Sequence, residues 1–225
     1  QQSPFMKHLQ QMIEKRAVDY RDKPFDAEFN GKPDNMLRIV NDGRNIAMDP
    51  RLYDPSYPDI PETKTNKALP NILEIYKQTH DAVDPSTGKE YKEKRGVQLI
   101  FCDRGTPGPK KEFSIYDDMK EKLVKNGIPA KEIAFVHDAS KDDEVMKLFR
   151  KVQNGDVRII IGSTQKLGTG VNVQDRVCAI HNLDIGWTFE GYEQRLGRGL
   201  RYGNRIKEVA IFNYGVEKTV DAFMW

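Results

Sequence analysis

Between Gln194 and Asn204 the chain carries three arginines and three glycines within eleven residues, and no acidic residue. Guanidinium groups crowded this way repel one another unless an anion sits among them, and the planar fork of arginine suits phosphate oxygens. Upstream, Ser163, Thr164, Gln165 and Lys166 lead into Gly168-Thr169-Gly170-Val171-Asn172. Glycines in such a stretch let backbone N–H groups come close to a ligand. The hydroxyls and Lys166 are of the types that contact strand phosphates. Both stretches read as phosphate chemistry. The plainer alternatives are a solvated basic helix face for the arginines and an ordinary turn for the glycines.

Elements must hold these residues in place, and the pattern for them starts near Thr65. Leu69, Ile72, Leu73 and Tyr76 follow helical spacing. Residues 81–96 read as an exposed loop. Beyond it, Val97–Phe101, Ile133–Val136, Val157–Ile161, Val177–His181 and Val209–Phe212 are apolar strand-like runs, the third interrupted only by Arg158. Between them lie a helix from Ser114 to Lys125, closed by Asn126-Gly127, and one opened by Ser140 with Asp143 as a capping-box-like pair and ending near Asn154-Gly155. The arginine segment is a further helix. Alternation of this kind predicts a parallel sheet covered on both faces, with ligands at the carboxyl ends of its strands. The 162–172 loop and the arginine helix both follow such ends.

The first sixty residues are less clear. Residues 4–20 place Phe5, Leu9, Met12 and Ile13 on one helical face. The stretch from there to Pro33 has no clear period. Residues 34–49 fit either a helix capped by Asp34 or a hairpin turning at Asn41-Asp42-Gly43. Four prolines between residues 49 and 61 suggest an extended strap.

Phosphoryl transfer also needs a phosphate cradle, a metal-binding acid and a group that orients water. Gly31-Lys32 is followed by Pro33 and Gly88-Lys89 by Glu90, so neither completes a P-loop. Asp142-Asp143-Glu144 opens a helix and does not follow a strand.

The run Gln194-Arg195-Leu196-Gly197-Arg198-Gly199-Leu200-Arg201 resembles the last motif of superfamily 2 helicases and SNF2-type DNA motors. Leu167–Gln174 resembles the motif before it, Asp184 and Trp187 stand where SNF2-type proteins carry aspartate and tryptophan, and Asp103-Arg104-Gly105-Thr106 resembles a C-D-x-G-T-P motif. Val171, Asn204 and Ile185-Gly186 depart from the usual pattern. The similarity covers roughly residues 64–225 and is greatest to large helicase–methyltransferase proteins of phages and conjugative elements.

That resemblance implies a second RecA-like lobe over residues 64–225, with residues 1–63 as an extension bracing the motor. It implies a DNA-dependent ATPase whose ATP and Mg are held mainly by a first lobe elsewhere in the parent chain. Arg198 and Arg201 would be arginine fingers. Gln194, Arg195, Gly168, Gly170 and Asn172 would lie on the nucleotide side, and Ser163, Thr164, Lys166, Thr169 and Arg104 against duplex DNA. The competing readings are a non-catalytic nucleic-acid-binding scaffold and, from another class, a Rossmann-type transferase, for which G-x-G-x-x-G is missing.

Bulk properties bound these readings. Lys and Arg total 36 against 34 Asp and Glu, so any nucleic-acid binding must come from local patches. Cys102 and Cys178, both in apolar runs without C-x-x-C, are expected to be buried reduced thiols rather than zinc ligands. His137 and His181 are expected to be structural. No apolar run approaches a membrane span, and no signal peptide opens the chain. The expectation is a cytoplasmic, bacterial or phage protein, of which these 225 residues are an excised piece.

Overall fold

The computed structural model describes residues 3–24, 26–79, 95–108, 112–139, 141–168, 174–186, 189–200, 204, 206, 208–219 and 221. Five strands, β3 (Val97–Phe101), β4 (Ile133–Phe135), β5 (Ile159–Gly162), β6 (Val177–Asn182) and β7 (Ala210–Asn213), form one sheet. Its order is β4-β5-β3-β6-β7 and every pairing is parallel.

Alternate residues of each strand face opposite sides. On one side Ile100, Ile159 and Ile161 pack against α3 (Lys64–Gln78) and α4 (Ile115–Lys125) through Ile72, Tyr116, Met119 and Leu123. On the other, Leu99, Phe101, Ile160 and Ile180 meet α5 (Asp142–Asn154), α6 (Thr164–Gly168) and α7 (Phe189–Gly199) through Phe149, Val152, Leu167 and Leu196. The helix after β3 thus covers one face and the helix after β6 the other. The carboxyl ends of these neighbouring strands form a topological switch point, the crevice where open α/β sheets bind ligands.

Local details follow from side-chain chemistry. The Ser114 hydroxyl accepts the Asp117 N–H and opens α4. Gly155, at φ 78°, supplies the left-handed residue that ends α5. That helix begins at Asp142, with the Glu144 carboxylate accepting the Lys141 N–H. The cap is therefore Lys141 with Glu144 in place of Ser140 with Asp143; Ser140 lies outside the described residues. β5 starts at Ile159, two residues later than its apolar run. Arg158 is fully buried before it, with its guanidinium 3.9 Å over the Tyr76 ring and donating to the Tyr76 and Gly96 carbonyls.

The N-terminal part is α1 (Pro4–Asp22), a two-residue-per-strand hairpin of β1 (Glu28–Phe29) and β2 (Lys32–Pro33), and α2 (Met36–Met48). The helical alternative for residues 34–49 holds, and the hairpin at Asn41-Asp42-Gly43 does not form. Asn35 rather than Asp34 caps α2, because Asp34 is drawn into a bidentate pair with buried Arg16 (2.9 and 3.0 Å), which also binds Asp42. The strap begins with a single 3-10 turn at Pro50–Leu52, and its Tyr53, Tyr57 and Ile60 pack on the α1–α2 pair. Arg51 then bridges to Asp118 of α4 at 3.0 Å. Residues 80–94, which include most of the expected 81–96 loop, lie outside the described residues.

Candidate phosphate-handling site

Three segments converge at the carboxyl ends of β3, β5 and β6. A Cβ on Gly162, the last residue of β5, would lie 2.6 Å from Leu167 Cγ. Only glycine there lets the chain fold straight back into α6. Residues 164–168 are therefore helical, where the sequence suggested loop. Ser163 accepts the Lys166 N–H at 3.3 Å as a cap, leaving Lys166 exposed, and Gly168 ends the helix.

Arg195 joins the segments. It is 2% exposed, and all five of its N–H groups are taken. Nε donates to the Thr164 hydroxyl (2.8 Å), and one terminal nitrogen donates to Asn182 and the Asp184 carbonyl. The other bridges Asp103 (2.7 Å) and Asp184 (2.9 Å). Asp184 in turn accepts the backbone N–H groups of Asp103 and Arg104 (2.8 and 3.0 Å). Asp103 accepts both the N–H and the hydroxyl of Thr164. Arg195 and Thr164, expected to face nucleotide and DNA respectively, are here occupied in fixing the loops to one another.

On α7, Gln194 is exposed and Arg198 is 8% exposed. A Cβ on Gly199 would stand 2.8 Å from Ile180 Cδ1, so this glycine lets the arginine helix lie close on β6. Arg104 donates to the side-chain oxygens of Asn45 (2.8 Å) and Asn41 (3.1 Å) on α2. Thr169, Gly170, Asn172, Trp187 and Arg201 lie outside the described residues. Among the described residues no group of His, Cys, Asp and Glu is arranged to hold a metal ion, and no helix is long and apolar enough to cross a membrane.

The α2 contribution was missed in sequence. Asn41 and Asn45 share a face only if residues 36–48 are helical, and that choice stood open. Asp103 was noted only as part of its motif; its anchoring role needs the fold that brings residue 195 beside it.

His181, at the end of β6, is structural. The Gln98 amide donates to the Ile72 carbonyl, so its oxygen accepts from His181 Nε2 (2.9 Å), while Nδ1 meets the Tyr214 hydroxyl (2.9 Å). Burial pushes the imidazole pKa down to about 3. The unfolded chain binds this proton near pH 6.5 and the folded one does not, so stability is full above 6.5 and drains as pH falls toward 3. Between pH 7 and pH 5 this group is expected to remove about 2 kcal/mol. Urea denaturation at the two pH values checks it: His181→Gln should lose that much less than wild type. Cys102 and Cys178 are both buried and free, and burial raises both thiols, Cys178 to about 11.

The helicase conserved C-terminal domain matches residues 86–203, just over half of the chain. The ATP-dependent RNA helicase eIF4A of Kluyveromyces lactis is 34% identical over 106 residues, 47% of this chain and 25% of that protein. The ATP-dependent RNA helicase FAL1 of Eremothecium gossypii is 30% identical over 107 residues, 48% of this chain and 24% of that one. The chain thus spans about a quarter of these curated relatives. The crystal structure of the C-terminal part of the Fun30 ATPase domain shares the fold, with TM-score 0.50 and 17% identity over 96% of this chain and 64% of that one. With its parallel RecA-like sheet and its arginine helix, the chain belongs to the helicase conserved C-terminal domain family.

Proposed function

We propose that this chain is the second motor lobe of an SNF2-like, ATP-dependent DNA translocase. Its Arg198 and Arg201 reach across a cleft to ATP bound by a first RecA-like lobe of the parent protein. The observation that carries the reading is Arg195, which fastens the arginine helix to the loops after β3 and β5 and so sets three phosphate-handling segments in one register. Gln194, Gly168, Gly170 and Asn172 complete the nucleotide side. Ser163, Lys166, Thr169 and Arg104 line the strand side, with Thr164 and Arg195 as positioning residues. Residues 1–63 brace the lobe. Mg belongs with the first lobe, since the 225 residues carry neither a P-loop nor a D-E-x-H-type acid pair after an apolar strand. On the same resemblance we place the parent in the cytoplasm, as a bacterial or phage-encoded protein of a group whose members often carry an adenine-methyltransferase region.

A second reading, an RNA-dependent motor, is favoured by the two curated relatives, both RNA helicases by name. ATP hydrolysis by the full-length protein, with duplex DNA or single-stranded RNA as stimulant, separates the two. The 225 residues alone are expected to show no turnover above background. Robust hydrolysis by them would overturn the second-lobe assignment, and stimulation by RNA alone would move the substrate to RNA.

A further inference from the structure

We propose that Arg44 and Arg104 hold a phosphate group in a cleft that α2 builds jointly with the loops after β3 and β6. Arg44 and Asn45 lie outside the region matched by the helicase family, residues 86–203. They line a cavity of about 400 Å³ together with Asp103, Arg104, Gly105 and Thr106. It sits at the switch point between β3 and β6, where an open α/β sheet receives its ligands.

The Arg104 guanidinium has an unusual environment. Its two terminal nitrogens donate to Asn45 and Asn41, which are neutral amides, and its Nε is buried with no partner. A guanidinium taken from water is normally matched by a carboxylate or phosphate. Asp103 and Asp184 stand close by but are committed elsewhere, to Arg195, to Thr164 and to the backbone of the loop itself. Arg44 reaches into the same region and donates to the Ile185 carbonyl. Burial, and then the charge of Arg44, hold the Arg104 pKa below its ordinary value. Two cations and the backbone of Gly105 and Thr106 thus surround a space larger than one phosphate group.

The phosphate has two possible sources. A backbone phosphate of the tracked strand would make α2 part of the strand path, and that source rests on the motor reading above. A free anion or mononucleotide would use the same chemistry without it.

The discriminating variant is Asn45→Asp. It keeps the size and the acceptor facing Arg104, so the fold is retained, but it supplies the missing negative charge from within. The binding of a short labelled single strand to the 225-residue chain, by fluorescence anisotropy across a salt series, should weaken roughly tenfold, the scale of one charged hydrogen bond. The log–log salt slope should fall by roughly 0.7, the value for one phosphate of a single strand. The melting temperature should hold or rise. Arg44→Gln should weaken binding in the same direction. If strand affinity is unchanged but inorganic phosphate raises the melting temperature of wild type and not of Asn45→Asp, the site stands and its source is the free anion. If neither strand nor phosphate distinguishes the two proteins, or wild type binds neither, the proposal is overturned. Lys166→Ala keeps the two readings apart: weakened strand binding there, with neither strand nor phosphate distinguishing Asn45→Asp from wild type, removes the Arg44–Arg104 site and leaves the motor reading in place.

Discussion

Replacing Arg198 with alanine in the full-length protein is expected to lower nucleic-acid-stimulated ATP turnover by about 10³–10⁵. That corresponds to roughly 4–7 kcal/mol of barrier. Phosphoryl transfer leaves the protein little covalent work; what counts is positive charge held where the transferring phosphate gains charge. Arg198 lies one helical turn beyond Arg195, which anchors α7, and it is 8% exposed within this lobe. In the proposed reading, the anchored turn at Arg195 would set the position of Arg198 before the lobes meet. Arg201→Ala should behave alike, and Arg198→Lys should recover only a fraction, since a point charge replaces a bidentate fork. The test reads kcat, with strand affinity and melting temperature measured beside it. Loss of turnover with the other two retained supports the finger. Unchanged turnover would assign the arginines to strand or structure and bring the scaffold reading forward.

The fold was legible because its signals are local and strong. The three central strands β3, β5 and β6 are largely apolar runs buried at every position, and Gly155 and Ser114 are punctuation that physics reads one way. What escaped the sequence was pairing at long range. Asp34 fits as a helix cap until Arg16, eighteen residues earlier, claims both of its oxygens and passes the cap to Asn35. Residues 164–168 lie in a stretch that reads as loop, yet Leu167 folds back over Gly162 and they are helical. The site divides the same way. The arginine motif suggested phosphate chemistry by composition alone, but composition does not say which arginine is held by the loops of its own lobe. Arg195 and Arg198 look equivalent as letters and both are buried, and only the positions of Asp103 and Asp184, 92 and 11 residues away, commit Arg195 to tying the loops together. Likewise Arg104 reads as a DNA contact within its motif, with no sign of α2, until the fold brings Asn41 and Asn45 against it.

Arg195→Met is expected to cost about 3–5 kcal/mol of stability, the range for breaking a buried ion pair by removing one partner. At this chain length that lowers the melting temperature by roughly 6–20 °C. Methionine fills much of the arginine stem's volume, so the loss comes chiefly from stranded acceptors. Asp184 is 2% exposed and, among the described residues, would keep two backbone N–H donors for its charge. Asp103, with its side chain 37% exposed, is partly relieved by water. The asymmetry makes the cost traceable to Asp184. Asp184→Asn in the Arg195→Met background removes the stranded charge, so the double variant should be more stable than the sum of the two single losses predicts. The coupling should be about 1–3 kcal/mol, as for residues in direct contact. Additive losses would mean that Arg195 contributes packing alone. Because the same guanidinium aligns Thr164, Asp103 and α7, Arg195→Met should also blunt ATP turnover in the full-length protein at temperatures where it remains folded. Arg195→Lys should restore part of the stability and little of that alignment, because one ammonium cannot reach Thr164, Asp103 and Asp184 together.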